Sequence, residues 1–266
     1  MDVIDTQNAL ESNYVRLPKN PLAARPFRVQ SQPGFVLHSY PYKETSLIID
    51  VFTRQYGRVA LLAKGAKRPH SQLRGVLQTF QPLTFSWSGK SELQTLTGAE
   101  WVGGMLPLEK NTLLCGFYLN EIITKLIQRD DPQPLLFDEY VATINKLAHA
   151  ESASIVLRKF ELNLLKTAGV VNDLSFCTKL RAPVCSDILY TVDPEAGTRP
   201  VVQDCEAESE TGIKIHGKTL LDIEAQDYSD INTQQQSKLL MRSLLAHHLH
   251  GMTIHTRQIL MDLQNL

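Results

Sequence analysis

The most constraining feature of this chain is a change of period. From Gly34 to about residue 106, apolar side chains recur at every second residue, and after Pro107 they recur every three to four. "TSLIIDVFT" sets Leu47, Ile49 and Val51 on one face and Ile48, Asp50 and Phe52 on the other. "QYG" then signals a turn, and "RVALLAK" puts Val59, Leu61 and Ala63 inward, with Arg58, Ala60, Leu62 and Lys64 opposite. The pair reads as a hairpin. "GVLQTFQPLTFSWSG" reads as a long strand broken at Pro82, which cannot donate to a ladder, with Leu83, Phe85 and Trp87 sharing a face. "SELQTLTGAEW" reads as a fifth, more polar strand. Five short strands with no long helix among them suit a small closed barrel of the OB type.

Beyond Pro107, Leu114, Tyr118, Ile122 and Leu126 form the stripe of a first helix. A second runs from about Pro134 to His149. A third runs from about Ser152 to Ala168, with Val156, Phe160 and Leu164 as its apolar line and Gly169 as its C-cap. Two more cover about 233–250 and 253–265, parted by Gly251. The stretch 170–230 reads as irregular and acidic. The expected architecture is α+β: an N-terminal OB-fold barrel (33–106), then an all-helical domain (107–266) with a loop-rich insertion. Residues 1–32, broken by Pro18, Pro21 and Pro26, read as a flexible extension.

Charge divides the chain again. Its totals balance, with 27 basic and 28 acidic side chains. Yet Val51 to Ser91 holds Arg54, Arg58, Lys64, Lys67, Arg68, Arg74 and Lys90 and no carboxylate. Between Cys185 and Glu210, Asp187, Asp193, Glu195, Asp204, Glu206, Glu208 and Glu210 face only Arg199. A local basic field on an OB barrel points to a polyanion. OB folds hold single strands in a positive groove with stacking aromatics, so the seven cations are the candidate phosphate contacts. Tyr42 and Tyr56, near turns, are the candidate base-stackers. Tyr40, Phe52 and Phe80 are further candidate stackers, although Phe52 and Phe80 read rather as barrel core.

Other chemistries find little support. "SGKS" at Ser88–Ser91 ends like a phosphate loop, but Thr84 stands where its first glycine belongs and a strand pattern follows. It reads as a turn between strands. Cys177 lacks a C-x-x-C partner, because Leu180 occupies that place, and Cys185 and Cys205 are equally isolated. His247, His248, His250 and His255 cluster without an H-E-x-x-H pattern. There is no nucleophile elbow and no dinucleotide fingerprint. The expectation is a binding protein with neither catalytic site nor cofactor. With no run of 18 apolar residues, no signal-peptide core and four scattered cysteines, it is expected in the reducing cytoplasm. The rival expectation is an RNA-binding OB module of translation or RNA metabolism.

The barrel segment "GFVLHSYPYKETSLIIDVFTRQYGRVALLAKGAKRPHSQLRGVLQTFQPL", with "LTGAEW", resembles the N-terminal domain of the RecO family of bacterial recombination mediators. "YLNEII" at 118–123 and "LRKFELNLLKTAG" at 157–169 resemble its helical domain, and "LHGMTIHTRQIL", which carries Arg257, resembles its last helices. The resemblance implies binding of single- and double-stranded DNA in the RecF pathway at the nucleoid. It implies annealing of complementary strands coated with single-strand-binding protein (SSB), and loading of RecA on gapped DNA together with RecR. It also implies a grip on the acidic, aromatic-ended tail of SSB. Arg158, Lys159 and Lys166 on the third helix are the expected contacts, with Val156, Phe160 and Leu164 bordering a pocket. Some family members hold zinc through two Cys pairs after the third helix. Here at most Cys177 and Cys205 correspond, so the chain is similar to the branch without the metal and its insertion reads as a degenerate zinc-finger-like element.

Overall fold

The computed structural model describes residues 28–201 and 212–264. Five strands, β1 (Arg28–Tyr42), β2 (Ser46–Thr53), β3 (Gly57–Ala63), β4 (Leu83–Ser88) and β5 (Leu93–Trp101), close in the order β1-β2-β3-β5-β4. Only the β3–β5 pair is parallel. The alternation seen in the sequence fills the barrel: Ile49 and Val51, Val59 and Leu61, and Leu83, Phe85 and Trp87 all point into one buried cluster. β1 begins at Arg28, inside the stretch read as extension. Residues 1–27 lie outside the described residues.

The run read as one long strand around Pro82 is not one. The chain leaves β3 and must cross the end of β5 to reach β4, because β5 lies between them. It makes the crossing with a short helix, α1 (Gln72–Val76), whose Leu73 and Val76, with Leu77 after it, pack on the barrel core and stopper one mouth. β4 starts only after Pro82, whose carbonyl accepts from the Val102 N–H at 3.0 Å.

The outer face of β1 and β2 is apolar too, and this binds the barrel to the second layer. Phe35, Leu37 and Phe52 join a separate core built from the helices. Phe52 meets Phe137 edge-on at 5.4 Å between ring centroids, and Phe35 meets Tyr140 at 5.3 Å. The helices are α2 (Lys110–Leu126), α3 (Pro134–Ala148), α4 (Ala153–Thr167), α5 (Gly217–Glu224), α6 (Ile231–His248) and α7 (His255–Gln264). Gly116 lets α2 lie against the barrel, since a β-carbon there would fall 2.8 Å from the Phe80 ring. Gly169 caps α4 at φ +72°, a left-handed value that glycine takes without strain.

The stretch expected to be irregular is largely ordered. β6 (Phe176–Cys177) pairs with β7 (Ala182–Pro183), and β8 (Leu189–Asp193) lies between β9 (Gly197–Pro200) and β10 (Ile213–His216). Tyr190, Val192 and Ile215 turn into the helical core, so this small sheet is a wall of that domain. No zinc-finger-like site forms among the described residues: Cys177 is buried and its Sγ donates to the Thr198 carbonyl at 3.4 Å, while Cys185 is exposed. No three His, Cys, Asp or Glu side chains there gather in a metal-binding arrangement, so these residues do not fit a tetrahedral zinc. Cys205, Glu206, Glu208 and Glu210 lie outside the described residues. No helix among the described residues is long and apolar enough to cross a membrane.

Candidate nucleic-acid interface

The barrel has two distinct ends. β1, β3 and β5 finish at the upper one, so the β1–β2 turn and the β3–β4 crossing meet there. The Lys67 N–H donates to the Thr45 carbonyl at 2.8 Å, and the Gly65 N–H to the Ser46 hydroxyl at 3.3 Å, which tie the crossing to the turn. Ala66 is fully buried and anchors the loop in the barrel mouth. Successive turns, Arg68 N–H to Gly65 carbonyl at 3.1 Å and Ser71 N–H to Arg68 carbonyl at 3.1 Å, then lead into α1. This gives the expected flexible loop a defined path. Lys64, Lys67, Arg68 and Arg74 are thrown outward by it, all exposed. None of the four has a carboxylate partner among the described residues. Lys43, missed in the sequence reading, joins them from the β1–β2 turn, its ammonium 5.4 Å from the Tyr42 ring centroid. Tyr42 is half-buried at this same end. Glu44 is in the turn as well, beside five cations.

The lower end corrects part of the expectation. Arg58 is 5% exposed and makes no surface contact. Its guanidinium donates to the Thr124 and Ile127 carbonyls at 2.6 Å each, capping the C-terminal turn of α2. It also lies 3.7 Å from the buried carboxylate of Asp50, which Arg129 approaches at 3.2 Å from outside. A guanidinium so enclosed is a joint between domains and cannot reach a phosphate. Arg54 is exposed but grips Asp138 of α3 through two bonds of 2.9 Å. That hydrogen bond, then the charge, raises the Arg54 pKa and holds the Asp138 carboxyl below its usual range. Tyr56 packs edge-on against the buried Trp87 at 5.3 Å and closes the lower mouth, so it is not placed beside the basic loop. Lys90 is exposed in the β4–β5 turn, also at this end. As expected, the "SGKS" segment is that turn. Phe52 and Phe80 are buried, but in the helical core and not inside the barrel, because they lie against the helices.

The third helix, α4, also differs from expectation. Arg158 bonds Glu161 at 2.7 Å, and the Tyr118 hydroxyl donates to the same oxygen at 2.6 Å. Burial drives the Glu161 pKa upward, with Arg158 and the Tyr118 hydrogen bond opposing. Lys166 pairs with Glu224. Phe160 and Leu164 are fully buried core. Lys166, though paired, stays about a third exposed and lines a cleft with Leu135 and Asp138. Lys159 lies with its ammonium 5.8 Å from the Tyr228 ring centroid, and with Lys146, Ile155 and Val156 it lines a small cleft between α3 and α4 that Glu139 and Glu151 also border.

A closed five-stranded barrel, with cations at one mouth that have no carboxylate partner among the described residues, joined to a helical domain, defines a protein of the OB-barrel class. Comparison with known proteins gives the family. Residues 28–105 match the model "Recombination protein O N terminal", and residues 109–250 match "Recombination protein O C terminal". The DNA repair protein RecO of Burkholderia pseudomallei is 58% identical over 240 residues, covering 90% of this chain and 86% of that protein. That of Ralstonia nicotianae is 55% identical over 246 residues (92% and 89%), and that of Polynucleobacter asymbioticus 52% over 243 (90% and 98%). The chain belongs to the RecO family of DNA repair proteins.

Proposed function

We propose that this chain is a DNA-binding recombination mediator of the RecF pathway. It binds single- and double-stranded DNA at the upper end of its barrel, anneals complementary strands, and helps RecR load RecA onto SSB-coated DNA. One observation carries the reading: Lys64, Lys67, Arg68 and Arg74 are exposed together, without carboxylate partners among the described residues, on the mouth of an OB-type barrel. Family membership supports the substrate class.

The mechanism needs no covalent step and no catalytic residue. Annealing is opposed by repulsion between two phosphate chains. A surface that replaces condensed counterions with fixed ammonium and guanidinium groups lowers that repulsion and speeds encounter. Contacts of this kind hold the backbone without reading sequence, which suits a protein that must anneal any pair of strands. An acidic tail that ends in an aromatic side chain, such as that of SSB, would meet Lys146 and Lys159 beside Ile155 and Val156 in this cleft, against the opposing charge of Glu139 and Glu151. The reading assigns the chain to the cytoplasm, at the nucleoid.

The test is a triple charge reversal, Lys67→Glu/Arg68→Glu/Arg74→Glu. Affinity for a single-stranded oligonucleotide should fall at least about tenfold at ~0.1 M salt, where opposed charges act within a Debye length of roughly 10 Å. Annealing of SSB-coated strands should fall with it. Unchanged binding would remove the upper end from the account. Competition with RNA separates the rival reading, since a protein that reads the 2′-hydroxyl prefers RNA.

A further inference from the structure

We propose that Trp101 is a stacking platform for an unpaired base of the strand whose phosphates the basic loop holds. The proposal rests on the DNA-binding reading above and adds a second, uncharged component to it.

Trp101 ends β5 and pairs with Leu83, whose side chain fills the barrel. Ala99, two residues earlier on the same face, packs on that core. The indole therefore stands on the rim of the upper mouth, the mouth that α1 stoppers. α1 carries Arg74 and packs against β5. Despite that parity the ring is 64% exposed. It is nonetheless held in place: Nε1 donates to the Gln81 side-chain oxygen at 3.2 Å, and the Val102 N–H bonds the Pro82 carbonyl at 3.0 Å. Gly103 lies against it: a β-carbon there would touch the ring at 3.7 Å.

A large, flat, pre-oriented and solvent-exposed ring is an expensive feature to leave at the mouth of a barrel, and such rings in OB folds receive bases. Fixing the indole in advance lowers the ordering penalty of stacking. Val102, next in the chain, is an exposed apolar side chain too. Glu100, exposed on the opposite face of β5, disfavours a phosphate at this rim and leaves it to bases. Duplex bases are already stacked inside the helix, so the platform adds affinity for single strands alone. That gives the interface a physical means of preferring gapped or unpaired DNA over duplex, which phosphate contacts do not supply.

The chain has two tryptophans, and the other, Trp87, is 1% exposed and packed against Tyr56. Both indoles emit, but a base arriving from solvent can contact only the exposed one, so quenching on binding reports on Trp101. Titration with oligo-dT should quench it, while a duplex of equal length should bind, by anisotropy of a labelled strand, with little quenching. Trp101→Ala should weaken single-strand binding about 5- to 150-fold, which is ~1–3 kcal/mol of stacking per base at ~1.4 kcal/mol per tenfold, and leave duplex binding nearly unchanged. Trp101→Phe, which keeps a ring, should restore most of the single-strand affinity. A urea titration of Trp101→Ala should match the unmodified chain, because the side chain is mostly in water. If the labelled strand binds but fluorescence is not quenched and Trp101→Ala binds oligo-dT normally, the inference is overturned and the rim becomes a protein-contact surface. If the labelled strand does not bind the unmodified chain at all, the DNA-binding reading itself fails.

Discussion

The two ends of the barrel are built from the same residue types and do opposite things. Above, Lys64, Lys67, Arg68 and Arg74 project into water from a loop pinned by Ala66. Below, Arg54 and Arg58 are claimed by the helical domain, one by Asp138 and the other by the Thr124 and Ile127 carbonyls. An arginine in a basic segment is a ligand-binding group only if the fold brings it no carboxylate or carbonyl of its own. What separates the ends is therefore the location of α2 and α3, which cover the outer face of β2 and the lower turn and leave the basic loop at the upper end uncovered.

The largest effect expected at the lower end comes from Arg58→Met. Removing one member of a buried charged pair leaves Asp50 with only the half-exposed Arg129 and strands two carbonyls at the end of α2, a loss of about 3–5 kcal/mol. Urea unfolding measures it, and the folded fraction should bind DNA as before. Loss of binding by folded protein would break the distinction between the two ends.

Two glycines sharpen it. Gly57 and Gly65 both have positive φ, +64° and +69°, and flank β3 at its two ends. A β-carbon at Gly57 would lie 2.0 Å from the Asp131 carbonyl oxygen, whereas at Gly65 the nearest atom is the Arg68 Cδ at 3.5 Å. Gly65→Ala should destabilise by about 1 kcal/mol, the ordinary penalty of a left-handed alanine. Gly57→Ala should lose at least ~1 kcal/mol more, because the docked loop after α2 must also shift. Equal losses would mean that the lower turn is not tightly docked.

The smallest effect belongs to Asp138→Asn. Its pKa is depressed by Arg54, so the pair contributes stability above the unfolded carboxyl value of 3.8 and loses it as pH falls through the lower folded value. The pair is exposed, so at neutral pH the variant should differ from the unmodified chain near the limit of detection, and not at all once the carboxyl is protonated in the folded state too. A difference that grew toward acid pH, where the carboxyl becomes protonated in both states, would contradict the pairing.

The sequence showed the barrel well because its interior parity is strict: Ile49, Val51, Val59, Leu61, Phe85 and Trp87 all fall where alternation puts them. It did not show which outer faces would be covered. Phe52 and Asp50, on the outer parity of β2, were the available sign that this strand is buried on both sides. The partners of Arg58 lie 66 and 69 residues further along, beyond the reach of any local pattern. The crossing at α1 was misread because Val76 and Phe80 are apolar as a strand would be, although they stopper a mouth and meet α2. Strands of two to five residues, as in the insertion, are too short to display a period. Trp101 was visible at the end of a polar strand, but only the closed barrel places it beside the basic loop.

The central claim is that one end of the barrel binds DNA and the other does not, and the salt dependence of single-strand binding tests it most directly. Each neutralised phosphate contributes about −0.7 to the slope of log K against log salt on single strands. Lys67→Ala/Arg68→Ala/Arg74→Ala should make that slope shallower by about 2, while Arg54→Ala should leave it unchanged. A slope unaffected by the upper substitutions, or reduced by Arg54→Ala, would contradict the account.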